Sequence, residues 1–162
     1  SLQNIAKSFF DQPETVAAYP SSMANPTFVS KVYSNVLNRA ADSAGLTYWV
    51  NELQNGHVSR DSFLLTIING ARASTGSLTD QQTLSNKELV GAHYAINKGL
   101  SDLTWASQVM ASVTSLNSSV TSANASTDAF AMLAGVPATS ELTISIVGIA
   151  AWRPIDLRKL HW

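Results

Sequence analysis

The sequence predicts an all-α domain: a compact bundle of about six or seven short helices followed by a short extended C-terminal segment. Three observations carry this reading. Apolar residues recur three and four positions apart in one segment after another, as at Phe28, Val32 and Val36, or at Phe63, Leu64, Ile67 and Ile68. Caps and breakers separate these segments, among them Pro13, Pro26, Asp42, Gly56, Ser59, Gly99 and Gly135. Strict alternation, the mark of a strand, comes at Leu142, Ile144 and Ile146, beyond the last helical pattern.

The elements follow in order. Leu2, Ile5, Ala6, Phe9 and Phe10 share one helical face, with Ser1 as its cap. Pro13 breaks or restarts that segment, with Asp11 as cap and Glu14 in the new first turn. The stretch YPSSMANP, residues 19–26, has two prolines and no periodicity, so it reads as a loop. Asn25-Pro26 then opens a helix over 27–39 with Phe28, Val32, Tyr33, Val36 and Leu37 as its apolar stripe. Asp42 or Ser43 caps the next, which runs to Gln54 with Leu46, Trp49, Val50 and Leu53 inward. Asn55-Gly56 ends it, because Gly accepts a left-handed backbone at little cost. Ser59 starts a further helix that stops at Gly70 or near Gly76, and 72–78 is a polar loop. The longest helix spans 79–98, with Leu84, Leu89, Val90, His93, Tyr94 and Ile96 as inward candidates and Gly99 as its stop. Ser101 caps a helix over 102–115 that carries Leu103, Trp105, Val109, Met110 and Val113. The last, 117–134, is weakly amphipathic; Val120, Ala123, Thr127, Phe130, Ala131 and Leu133 are its inward set, and its small residues permit close helix approach. Residues 1–135 are thus expected to form one helical domain. Residues 136–162 form an extended tail, either the start of a following domain or sequence foreign to this one, with Arg153, Arg158 and Lys159 close together.

Composition narrows the function. A chain of 162 residues with 45% hydrophobic residues suits one domain with a real core. Charged residues are only 13%, about half the usual share, and Ser and Thr make up about a fifth of the chain. The surface is therefore hydroxyl- and amide-rich rather than ionic. A net charge of −1 supplies no basic face for a phosphate backbone, so no nucleic-acid partner is expected. Cysteine is absent, which removes disulfides, thiolate metal sites and Cys nucleophiles. No apolar run reaches membrane-spanning length, and SLQNIAKSFF lacks the features of a signal segment.

No reaction centre is advertised. His57, His93 and His161 have no carboxylate or second His at metal-ligand spacing, so no metal and no cofactor is expected. Asp42, Asp61, Asp80 and Asp102 lie at or near helix starts, where capping explains them. Asp42-Ser43-Ala44-Gly45 lacks the alternating ligands of a calcium loop. Among the aromatics Trp49 reads as core and Tyr48 as an exposed contact. Tyr48, His57 and Arg60, around the turns of the central helices, are the expected ligand contacts, and no catalytic residue is assigned.

The central stretch also carries a resemblance. Phe28-Val29, Tyr33, Val36-Leu37, Arg39, Asp42, Gly45-Leu46, Tyr48-Trp49, Leu53, Gly56 and Ser59-Arg60 resemble the pattern of a bacterial family, domain of unknown function 4214. FFDQPET and LSNKELVGAHYA look like companions of that domain. The resemblance covers residues 28–70 closely and 2–135 loosely. It implies an all-helical module at one end of secreted, surface-layer or repeat-in-toxin type proteins. Similar helical ends of surface-layer proteins are associated with anchoring to cell-surface polysaccharide, and the helix pattern looks distantly like phycobilisome linker domains. The acidic Gly-rich nonapeptides of a calcium β-roll are missing from this chain, so calcium is not implied. Asn38 stands where the family usually has Gly. The family supplies no agreed catalytic residues.

Within that pattern Tyr33, Arg39, Asp42, Gly45, Trp49 and Gly56 are expected to be structural. Arg39 and Asp42 either pair across the first turn, or Asp42 caps the second helix while Arg39 binds nearby carbonyls; Gly45 would let helices approach. The expected function is non-enzymatic: a secreted or cell-surface module for anchoring, assembly or adhesion to surface polysaccharide or a protein partner. The alternative is an accessory or recognition domain of a larger secreted enzyme.

Overall fold

Local chemistry sets most helix boundaries in the computed structural model, which describes residues 2–136, with the backbone alone at 2, 3, 5 and 6. The helices are α1 (Leu2–Phe10), α2 (Pro13–Ala18), α3 (Asn25–Leu37), α4 (Ser43–Gln54), α5 (Arg60–Arg72), α6 (Leu78–Ala92), α7 (Leu103–Ala111) and α8 (Asn117–Leu133). A π-helical stretch, His93–Asn97, continues α6. The described residues are thus all-α. Among the described residues there are eight α-helices, the short α2 being separate because Pro13 restarts the chain. The alternating stretch at 142–146 and the tail from 137 onward lie outside the described residues.

Asp42 caps α4, its Oδ1 accepting from the Gly45 amide at 2.8 Å. Asp102, not Ser101, caps α7 through the Trp105 amide at 2.8 Å. A Cβ at Gly45 would have the Asp42 carboxylate as its nearest neighbour, at 3.4 Å, so the cap and not an approaching helix bounds that position. Replacing Asp42 with Ala is expected to cost about 1 kcal/mol. A thermal melt reads this, and a curve superimposable on the wild type would contradict it.

Two glycines are required where they stand. Gly56 has φ +72°, and the amides of Gly56 and His57 reach back to the carbonyls of Leu53 and Glu52, closing α4 in a Schellman turn. At Gly76 a Cβ would sit 2.4 Å from the Ala71 carbonyl oxygen, so only Gly permits that turn.

The core has two parts. Phe28, Val29, Val32, Tyr33 and Leu37 of α3 meet Phe63, Ile67 and Ala71 of α5 and Leu84 of α6. Leu46, Trp49, Val50 and Leu53 of α4 cover this cluster without being fully buried. The second part joins Val90 of α6 to Val109, Val113 and Ala123, beside a smaller group of Tyr94, Leu100 and Ala131. On α8 the buried residues Ala123, Thr127 and Ala131 lie four apart, a small-residue stripe packed on α6 and α7. Helix α6 therefore contributes to both parts, with Leu84 in one and Val90 in the other.

The face that α6 buries holds the expected Leu84 and Val90, with Tyr94 following in the π-helical stretch, but it is more polar than its apolar residues predict. Asp80, Thr83, Leu84, Asn86 and Val90 are buried, whereas Leu89 and Ile96 are exposed. Leu103 and Leu133 are likewise exposed, against expectation. Each buried polar residue on α6 has partners. Thr83 Oγ1 donates to the Thr79 carbonyl at 2.8 Å, and Asn86 Nδ2 donates to the Thr114 carbonyl at 2.7 Å, pinning the loop before α8.

Candidate functional site

The end of α3 faces α6, and two polar anchors join them. The first is built on Arg39. Its Nε and Nη2 donate to Oδ1 and Oδ2 of Asp80 at 2.8 and 2.7 Å, a bidentate pair across 41 residues of sequence. The guanidinium also lies over the Tyr33 ring, 5.2 Å from its centroid, and the Tyr33 hydroxyl accepts from Trp49 Nε1 at 2.9 Å. Tyr33, Arg39 and Trp49 are thus one connected structure. Burial raises the Tyr33 hydroxyl pKa, and the Asp80 hydrogen bonds raise that of Arg39. The pairing of Arg39 with Asp42 across the turn does not form. Asp42 is the cap, and Arg39 reaches Asp80 and the Ala40 carbonyl, the latter at 3.1 Å.

The second anchor is Asn38. It terminates α3 in the left-handed region, at φ 51° and ψ 34°, a conformation Asn tolerates better than other side-chain-bearing residues. That backbone presents its side-chain amide to the C-terminal end of α7. Nδ2 donates to the carbonyls of Met110 at 3.0 Å and Val113 at 2.6 Å, with a longer contact to Ala111 at 3.3 Å. Its Oδ1 accepts from Lys87 Nζ at 2.7 Å, and Lys87 also donates to the Asn35 carbonyl at 2.6 Å.

Between these anchors lies an open groove of about 640 Å³. Ser34, Asn35, Asn38, Arg39 and Ala40 form one wall; Lys87 of α6 and Ser107, Met110 and Ala111 of α7 form the rest. Hydroxyls, amides and two cations line it, and no carboxylate does. Burial lowers the Lys87 ammonium from 10.5 to about 8. The sign follows from proton binding. Below about 8 the charge is buried at full cost, and between about 8 and 10.5 the folded state holds fewer protons than the unfolded one. The Lys87 contribution to stability therefore rises with pH across that window. Urea midpoints of wild type and Lys87→Met, compared at pH 7 and pH 10, are expected to show a rise that the variant lacks.

The residues expected to touch a ligand are elsewhere. Tyr48 is 55% exposed on the outer side of α4, its ring edge-on to Trp49. His57 sits in the turn after α4, with Nδ1 3.3 Å from Glu52 Oε1. Arg60 binds its own chain: Nη2 donates to the Met23 carbonyl and, at 2.7 Å, to Asn25 Oδ1, while the guanidinium lies over Phe28. That side chain fastens the loop before α3 onto α5. Neither Tyr48 nor His57 lines the groove, the smaller cavity beside Tyr33 and Trp49, or the one that Arg60 borders. Among the described residues no hydrogen bond or ring contact joins Tyr48, His57 and Arg60 to one another. Sequence reasoning passed over Lys87, Asn35 and Ser107, and the signal available was weak: polar residues at helical spacing look like any solvated face.

Residues 6–74 match a family described as Domain of unknown function (DUF4214). That match supports the resemblance carried by the central stretch, and it covers less than half of the chain. No curated protein and no solved structure matches the chain. The DUF4214 segment spans all of α2 to α5 and most of α1, and it contains the motif residues Tyr33, Arg39, Asp42, Gly45, Trp49 and Gly56. Its boundary divides the groove. Ser34, Asn35, Asn38 and Arg39 lie within the DUF4214 segment; Lys87, Ser107 and Met110 lie beyond it.

A second charged cluster sits at the π-helical stretch, where His93 Nε2 and Lys98 Nζ lie 2.8 and 3.0 Å from Asp128 Oδ1. These hydrogen bonds, His93 first, hold the Asp128 carboxyl below the usual carboxylate range. Among the described residues no three His, Cys, Asp or Glu side chains gather as a metal site, and no helix is long and apolar enough to cross a membrane.

Proposed function

We propose that this chain is a non-enzymatic recognition module of a secreted or cell-surface protein, and that it anchors that protein to surface polysaccharide. The observation that supports the reading is the groove between α3, α6 and α7. Its wall of hydroxyls, amides and cations matches a ligand dense in hydroxyl groups, and its openness suits a polymer that passes through without being enclosed. The low charge content of the chain favours short-range polar contacts over long-range electrostatic capture. Tyr33, Trp49, Arg39 and Asp80 hold one wall of this groove rigid, which reduces the ordering cost of binding. Co-sedimentation of the whole chain with purified cell envelopes tests the reading. Retention that purified envelope polysaccharide competes away is the expected result, and no retention on envelopes or on a glycan array would contradict it.

A further inference from the structure

The groove's polarity also narrows its ligand, and the following rests on the polysaccharide reading above. We propose that the groove takes a carboxylate-bearing glycan, a polymer containing uronic acid, with one sugar carboxylate seated on the ammonium of Lys87.

The charge in the groove is unbalanced. Of the two cations that line the groove, Arg39 meets a carboxylate, on Asp80. Lys87 is half-buried, and the two oxygens it reaches, the Asn35 carbonyl and Asn38 Oδ1, are both neutral. Among the described residues no carboxylate forms an ion pair with it. A partly desolvated ammonium without a counter-ion gains more from an incoming anion than a solvated one does, because water screens the pair less. Burial has lowered its pKa to about 8, so it still carries its charge at neutral pH.

The number of free charges selects the anion. Arg39 already spends its planar fork on Asp80. One uncompensated cation matches a single negative charge rather than a phosphate dianion. Around it the Ser34 hydroxyl, the Ser107 oxygen and Asn35 Oδ1 supply partners for sugar hydroxyls, while Ser107 Oγ already donates to the Leu103 carbonyl and Asn35 Nδ2 to the Tyr19 hydroxyl. An acidic peptide fits less well, since Met110 is the one large apolar side chain lining the groove and no aromatic does.

Isothermal titration of the whole chain decides the matter, with four probes: trigalacturonate, its carboxyl-reduced counterpart, a sulfated galactan oligomer and an Asp-rich peptide. Trigalacturonate is expected to bind about tenfold or more tighter than the reduced sugar, as a charge-assisted hydrogen bond implies. Lys87→Met should remove that preference, and Lys31→Met, outside the groove, should leave it. In the wild type, saturation with trigalacturonate should raise the Lys87 pKa followed by NMR, a readout that does not depend on any variant folding. Equal affinity for the charged and reduced sugars, or an unmoved Lys87 pKa, overturns the carboxylate inference and leaves the polysaccharide reading standing. Tighter binding of the sulfated oligomer replaces carboxylate with sulfate, and tighter binding of the peptide overturns the glycan. No binding of any oligosaccharide overturns both.

Discussion

Replacing Asp80 with Ala is expected to lower the unfolding free energy by about 2–3 kcal/mol. The Asp80 side chain is 6% exposed and Arg39 is 39% exposed, so the pair lies between a buried and a surface ion pair. Breaking a fully buried pair costs about 3–5 kcal/mol because the surviving charge loses its partner where water cannot replace it. Here water reaches one side of the guanidinium, which moderates the loss. The damage spreads, because the Arg39 guanidinium also covers the Tyr33 ring and Tyr33 orients Trp49. Urea denaturation of Asp80→Ala, Arg39→Met and the double variant Arg39→Met with Asp80→Leu measures the coupling. The double variant should recover part of the loss, since a well-packed apolar pair often replaces an ion pair without penalty. A loss below about 0.5 kcal/mol for Asp80→Ala would equate the pair with an ordinary surface contact and remove the first anchor from the account.

The second large effect is expected at Asn38, and two substitutions separate its causes. Asn38→Gly keeps the left-handed backbone free of strain but removes the amide that holds the Met110 and Val113 carbonyls and accepts from Lys87. At about 0.5–1.5 kcal/mol net per hydrogen bond, the loss should be about 1–2 kcal/mol. Asn38→Ala loses the same bonds and adds the cost of a Cβ at φ 51°, about 1 kcal/mol more. The order of stability is therefore Asn, then Gly, then Ala. If Gly proves at least as stable as Asn, the side chain is only a substitute for glycine at a helix end and does not tie α3 to α7.

How much of this the sequence disclosed depends on how far each interaction reaches. Caps and stops are decided within four or five residues, so Asp42, Gly56 and the α3 stripe were legible. The resemblance to DUF4214 extended that reading to Tyr33, Arg39 and Trp49 as structural residues, but not to what they bind. Arg39 finds Asp80 and Asn38 finds Met110, 41 and 72 residues away, and nothing local announces either partner. Asp80 was read as a cap because it stands near a helix start; folding places it on the buried face of α6 instead. On the same face the periodicity holds for Leu84, Val90 and Tyr94 and fails for Leu89 and Ile96, which are exposed while the polar Asp80, Thr83 and Asn86 are buried. Arg60 looked like a free turn residue, yet its donors are committed to the loop before α3. The groove is a product of three helices distant in sequence, which is why a search along the sequence pointed to the exposed turn at Tyr48 and His57.

On the proposed reading, ligand recognition belongs to the groove between α3, α6 and α7. The most direct test is NMR mapping of the amide and side-chain signals of the labelled whole chain during titration with purified envelope polysaccharide. Shifts should centre on Asn35, Asn38, Lys87 and Ser107 and leave the turn after α4 unmoved. Shifts centred on Tyr48 and His57, with the groove silent, would contradict the claim.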